Sequence, residues 1–126
     1  ELALQLDCPI VVIGVKPEAI IDVEVVFYDY GEVSPSQFVG YIYNAKCVIT
    51  SSFHGVALSI AMRKDFYSLK LYASDRAENL LRHVGAVNRL ISPSHSISFS
   101  PVDYEYVVPK LEKFTNYSKD FLHKNI

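Results

Sequence analysis

The segment Lys46-Cys47-Val48-Ile49-Thr50-Ser51-Ser52-Phe53-His54-Gly55-Val56-Ala57-Leu58-Ser59-Ile60 decides how the chain is read. A short β-branched run, the material of a strand, ends at Thr50, and two serines that suit a helix cap follow it. Helix formers then continue through Arg63. Strand, tight turn and helix follow one another without a linker, which is the opening of a βαβ unit.

Working outward, Pro9 to Val15 is an unbroken apolar run closed by Gly14 and Lys16-Pro17, the pattern of a parallel strand buried on both faces. Asp22 to Tyr30 reads as a second strand, and Lys16 to Ile21 between them is too short for a clear helix. Ser34-Pro35-Ser36-Gln37 opens a helix to about Asn44, with Ser34 as N-cap and Gln37 completing a capping box. Its stripe is Phe38, Tyr41, Ile42 and Ala45. Asp65 to Leu71 is the next strand candidate. Ser74 or Asp75 then caps a helix whose stripe is Ala77, Leu80, Leu81 and Val84 and whose stop is Gly85. Leu90-Ile91 is a short strand candidate in an irregular stretch, and a last helix is expected from Pro109, with Leu111, Phe114, Tyr117, Phe121 and Leu122 along one side. Strands alternating with helices predict an α/β, Rossmann-like parallel sheet with helices on both faces. One domain spans residues 1–126.

Composition narrows the function. Of 126 residues, 50% are hydrophobic and 21% charged, which excludes a disordered chain. Twelve Lys and Arg against fourteen Asp and Glu give a net charge of −2, so the basic face of a nucleic-acid binder is not expected. No apolar run reaches the roughly 18 to 20 residues of a transmembrane segment, and Glu1 to Asp7 lacks the basic start of a signal peptide. Cys8 and Cys47 have no metal spacing and read as buried free thiols, which suits a cytoplasmic location. His83, His95 and His123 share no ligand spacing, so no metal is expected. The chain starts without methionine and enters its first strand almost at once, an expectation of a piece of something longer.

Two clusters could carry chemistry. Ser51, Ser52, Phe53, His54 and Gly55 lie where a strand delivers the chain into a helix N-terminus, where ligands of doubly wound sheets bind. Free amides and the helix dipole attract an anion there, hydroxyls and imidazole add donors, and glycine admits a ligand close to the backbone. The alternative is that the serines only cap the helix and His54 is a surface residue. Lys70, Asp75 and Arg76 form the second cluster, at the end of the next strand. Arg76 could fork onto a carboxylate or phosphate, or it could be a solvent-exposed arginine in the first turn of a helix, paired with Glu78 or with nothing. GxGxxG, GxxxxGK[ST] and GxSxG are all absent.

Ser34 to Phe38, Asn44 to Gly55, Ala57 to Ile60, Ser74-Asp75-Arg76, Leu80-Leu81 and a late Ser118 before Phe121-Leu122 together resemble the C-terminal half of the polysaccharide pyruvyl transferase family, over about residues 9 to 122. The specific element is Ser-Phe-His-Gly between strand and helix. The resemblance implies the second half of a GT-B-like, two-domain transferase, whose partner is the N-terminal half. It implies phosphoenolpyruvate as donor substrate with no further cofactor, and sugar hydroxyls of a cell-surface polysaccharide or its precursor as acceptor, leaving a pyruvate ketal and phosphate. His54 would be the catalytic proton donor or phosphate contact. Ser51, Ser52, Phe53, Gly55, Lys70 and Arg76 would bind substrate. The setting would be cytoplasmic, including the inner face of the membrane, and the half alone is expected to be inactive. An apolar docking face would also let it self-associate as a homo-oligomer. Some branches of the family carry arginine two residues before the histidine, where this chain has Ser52. The competing readings are a GT-B-like glycosyltransferase domain using a nucleotide sugar and a non-catalytic interaction domain.

Overall fold

A computed structural model describes residues 1–16, 18, 22–71 and 75–126. Its elements are α1 (Leu2–Leu6), β1 (Ile10–Ile13), β2 (Val25–Tyr28), α2 (Pro35–Asn44), β3 (Val48–Thr50), α3 (Phe53–Ala61), β4 (Phe66–Leu69), α4 (Asp75–His83), β5 (Leu90–Ile91) and α5 (Tyr104–Asn125). Short 3-10 turns lie at Tyr30–Glu32 and Val87–Arg89. Every strand pair is parallel, so the chain is α/β with parallel sheets flanked by helices.

The strands form two ladders, β1-β2 and β3-β4-β5, where the sequence predicts one sheet. The expectation that β1 is buried on both faces is also corrected. Val11 keeps 43% of its surface exposed and Ile49, in β3, keeps 49%. These edges are apolar because of their β-branched residues, yet the described helices cover them only in part.

Local signals explain most helix boundaries. Ser34 accepts from the Gln37 amide while Gln37 reaches back to the Ser34 amide at 2.9 Å, the predicted capping box of α2. Ile42 is its buried contact, with Phe38 and Tyr41 half-buried beside it. Helix α4 ends as the sequence predicts. Gly85 takes a φ of +71°, and the Ala86 amide reaches the Leu81 carbonyl at 2.8 Å, closing a Schellman motif. Asp75 is the first residue of α4 and therefore not its cap, and the Ser74 alternative lies outside the described residues. So does most of Lys16 to Ile21.

The core lies between β3-β4 and helices α3, α4 and α5. Val56, Ile60, Phe66, Ala77, Leu81, Val84 and Val107 are buried there. Register decides which strand residues face it. Val48 pairs with Phe66 and Thr50 with Ser68, so these four share one face, and Ile49 and Tyr67 share the other. On that second face Gln5 of α1 donates to the Ile97 carbonyl at 3.1 Å and accepts from the Phe99 amide at 2.8 Å. The Tyr67 hydroxyl is tied there to Ser98 and Ser100.

Two features escaped the sequence pattern. Helix α5 begins at Tyr104, not Pro109, because Asp103 caps it through the Tyr106 amide at 3.1 Å and the Tyr104 hydroxyl donates into the body, to the Ser59 carbonyl at 3.2 Å and to the Lys64 carbonyl. These tertiary bonds outweigh the cost of Pro109 within a helix. Arg89 is 3% exposed. Its guanidinium lies over the Tyr67 ring and donates to the carbonyls of Ser100 at 2.7 Å and Pro101 at 2.6 Å. It thereby holds the stretch that leads into α5. Arg89→Met removes both charge-assisted bonds and orphans two carbonyls, so urea unfolding should show a loss of about 2 to 4 kcal/mol, with two such bonds at about 1.5 to 3 kcal/mol each partly offset by water.

The cysteines are free and half-buried, less covered than the sequence predicts. Burial, then the nearby Asp65 charge, pushes the Cys47 thiol up to about 11 from an ordinary 9.0. Burial and Asp65 likewise drive the Tyr104 phenol upward. Both groups are neutral in the fold and ionise more easily when unfolded. The contribution of Cys47 is complete below pH 9 and is lost as the pH rises through about 11, and that of Tyr104 is lost at higher pH still. Alkaline titration of urea stability should fall across that window, and Cys47→Ser should flatten the fall.

Candidate functional site

The carboxyl end of β3 sets the site. Thr50 Oγ1 accepts from the Ser52 amide at 3.0 Å, turning the chain sharply, and Ser52 then caps α3 by accepting from the Gly55 amide at 3.5 Å. The amides of Phe53 and His54, ahead of the first intrahelical bond, face outward at the positive end of α3. Glycine at 55 is required by this turn. A Cβ there would meet Thr50 Oγ1 and lie 2.9 Å from Thr50 Cβ. Ser52 is a cap and His54 is exposed, as the alternative reading has it, and Ser51 is exposed beside them.

The second cluster is partly brought to the first. Arg76, in the first turn of α4, has its guanidinium 5.5 Å from the centre of the Phe53 ring. The His54 ring meets Phe53 edge-on at 5.8 Å. His54, Phe53 and Arg76 thus form one continuous patch across the starts of α3 and α4. Arg76 is exposed in the first turn of α4 and does not pair with Glu78, so the surface alternative is met in its unpaired form. Glu78 takes Lys70 at 3.2 Å and Arg82 at 2.6 Å instead. Those two partners hold the Glu78 carboxyl below its usual range, with Arg82 the larger cause. Lys70 is therefore committed to an ion pair on the flank of α4. Among the described residues Arg76 has no ion pair, and its contact with Phe53 is an exposed cation–π pair of about 0.5 to 1 kcal/mol. Charge-assisted bonds to an anion, about 1.5 to 3 kcal/mol each, would displace it.

An open depression of about 320 Å³ is lined by Ala3, Leu4, Asp7, Cys8, Pro9, Asp22, Val23 and Glu24. It lies at the amino ends of β1 and β2, and three carboxylates repel anions there. Among the described residues no group of histidine, cysteine and carboxylate side chains is placed to hold a metal ion. His83 is structural, its Nδ1 against the Asn79 carbonyl at 2.8 Å and its ring 4.8 Å from that of Phe114, which docks α5 on α4. Thr50 is the residue that sequence reading passed over. Its position as the last strand residue before the serines is the signal that would have found it.

Parallel strands, a capped helix N-terminus at the carboxyl end of β3 and the Arg76 guanidinium across it, without an ion pair among the described residues, make this a parallel α/β domain of doubly wound type. The family model for polysaccharide pyruvyl transferase matches residues 2–70, more than half of the chain, and the chain belongs to that family. The match covers β1 through β4 and includes the Ser-Phe-His-Gly turn, while Arg76 lies beyond it. Searches of curated proteins and of solved structures returned no match. No helix among the described residues is long and apolar enough to cross a membrane.

Gly55→Ala tests the turn. Glycine to alanine inside a helix ordinarily gains about 0.5 to 1 kcal/mol. Here the contact with Thr50 reverses the sign, and urea unfolding should show a net loss of about 1 to 3 kcal/mol.

Proposed function

We propose that this chain is the donor-binding half of a pyruvyl transferase that moves the three-carbon unit of phosphoenolpyruvate onto sugar hydroxyls of a cell-surface polysaccharide or its precursor. The observation that carries the reading is the joining of His54, Phe53 and Arg76 into one patch at the mouth of α3. The ligand is small and bears a phosphate and a carboxylate, so it suits free amides, a helix dipole and a mobile guanidinium. Arg76 leaves Phe53 to fork onto one of the two anionic groups. Ser51 and Ser52 offer hydroxyls to the other. Lys70 is a reserve cation, available when its pair with Glu78 opens.

In the reaction the methylene carbon of the donor takes a proton and becomes a methyl, one sugar hydroxyl bonds to the adjacent carbon, and the bond from that carbon to the phosphate oxygen breaks. A second hydroxyl closes the ketal. The two hydroxyl protons balance the one added to carbon and the one carried off by phosphate. His54 is the exposed proton carrier at the site, the role for which imidazole is suited near neutral pH. No cofactor enters this scheme, and the acceptor and an N-terminal half complete the cleft.

Calorimetric titration with phosphoenolpyruvate and with UDP-glucose tests the reading. Saturable binding of phosphoenolpyruvate alone is expected, weakened about tenfold or more by Arg76→Ala, a loss of about 1.4 kcal/mol. Binding of UDP-glucose alone would favour a glycosyltransferase domain, and binding of neither would favour an interaction domain without chemistry.

A further inference from the structure

Ser68 in β4 is wholly buried, and its Oγ has no hydrogen-bond partner among the described residues. A buried hydroxyl without a partner is a standing cost to the fold, and alanine would fill the same space without it. Its neighbours show where it points. It pairs in register with Thr50, whose Oγ1 lies against Gly55 in the first turn of α3. It shares a strand face with Phe66, which packs in the core with Val56 of α3 and Ala77 of α4. Two residues further along β4, Ser68 faces the same two helices nearer their N-termini, because helices crossing over parallel strands run back against them. Ser68 therefore lies on the strand face toward the N-terminal turns of α3 and α4, which carry Phe53 and Arg76.

We infer that Ser68 is a further donor-binding residue, which gives its hydroxyl proton to the phosphate group of the bound anion at the floor of the site. This rests on the reading of the site as a phosphoenolpyruvate site. Both helix dipoles converge at this depth, so the more highly charged end of the ligand belongs there. Arg76 leaves Phe53 for the ligand, and the anion reaches the hydroxyl between the starts of α3 and α4. The buried hydroxyl thus finds its partner only in the complex.

Ser68→Ala is compared with the unaltered chain by thermal melting and by titration with phosphoenolpyruvate and with inorganic phosphate. The variant should melt at the same temperature or higher while its Kd for each ligand rises about tenfold or more, the effect of one hydrogen bond to a charged acceptor. Unchanged affinity for phosphoenolpyruvate in a variant whose parent binds it would overturn the role of Ser68 and leave the site standing. Weakened phosphoenolpyruvate but unchanged phosphate binding would overturn the assignment to the phosphate group. Absence of binding by the unaltered chain would overturn the site and this inference together. A lowered melting temperature with unchanged affinity would make Ser68 a structural residue only.

Discussion

The closeness of Gly55 to Thr50 is the contact on which the rest depends. It lets β3 end and α3 begin within two residues, so the strand's last side chain braces the helix that follows. A longer connection would have carried the α3 N-terminus away from the strand ends. With it in place, the amides of Phe53 and His54 open beside β4, and the next crossover brings α4 to the same edge. Packing then fixes what the turn began, through the Val56, Ile60, Phe66, Ala77 and Leu81 core.

Electrostatics at that edge depend on which two of three nearby cations one carboxylate takes. Glu78 holds Lys70 and Arg82 and leaves Arg76 to rest on an aromatic ring. The arrangement keeps one guanidinium exposed and weakly held close to a helix N-terminus. A stronger pairing would have made Arg76 unavailable to a ligand. The serine that stands two residues before His54 leaves this edge with fewer fixed charges than a second arginine there would give.

Much of this was legible in the residues. The capping box at Ser34 and Gln37, the stop at Gly85 and the stripes of α2 and α4 act through neighbours three or four positions apart, and pattern reading sees such neighbours. The Ser-Phe-His-Gly turn was legible for the same reason. The division of the strands into two ladders was not, because apolar runs predict burial and say nothing about which edges pair. Arg89 was missed because its partners are carbonyls of Ser100 and Pro101, which no side-chain pattern marks. Tyr104 was missed because its anchors, at Ser59 and Lys64, are distant in sequence. Lys70 was grouped correctly with Glu78's helix, yet only geometry could show that the two are paired with each other.

The central claim is that the starts of α3 and α4 form one anion site. A backbone amide NMR map of the chain titrated with phosphoenolpyruvate tests it most directly. The account predicts concerted, saturable shifts at Ser51 to Gly55 and at Asp75 to Ala77, with those at α4 lost in Arg76→Ala. Shifts confined to the acidic depression by β1 and β2, or confined to one helix start and indifferent to Arg76, would contradict it.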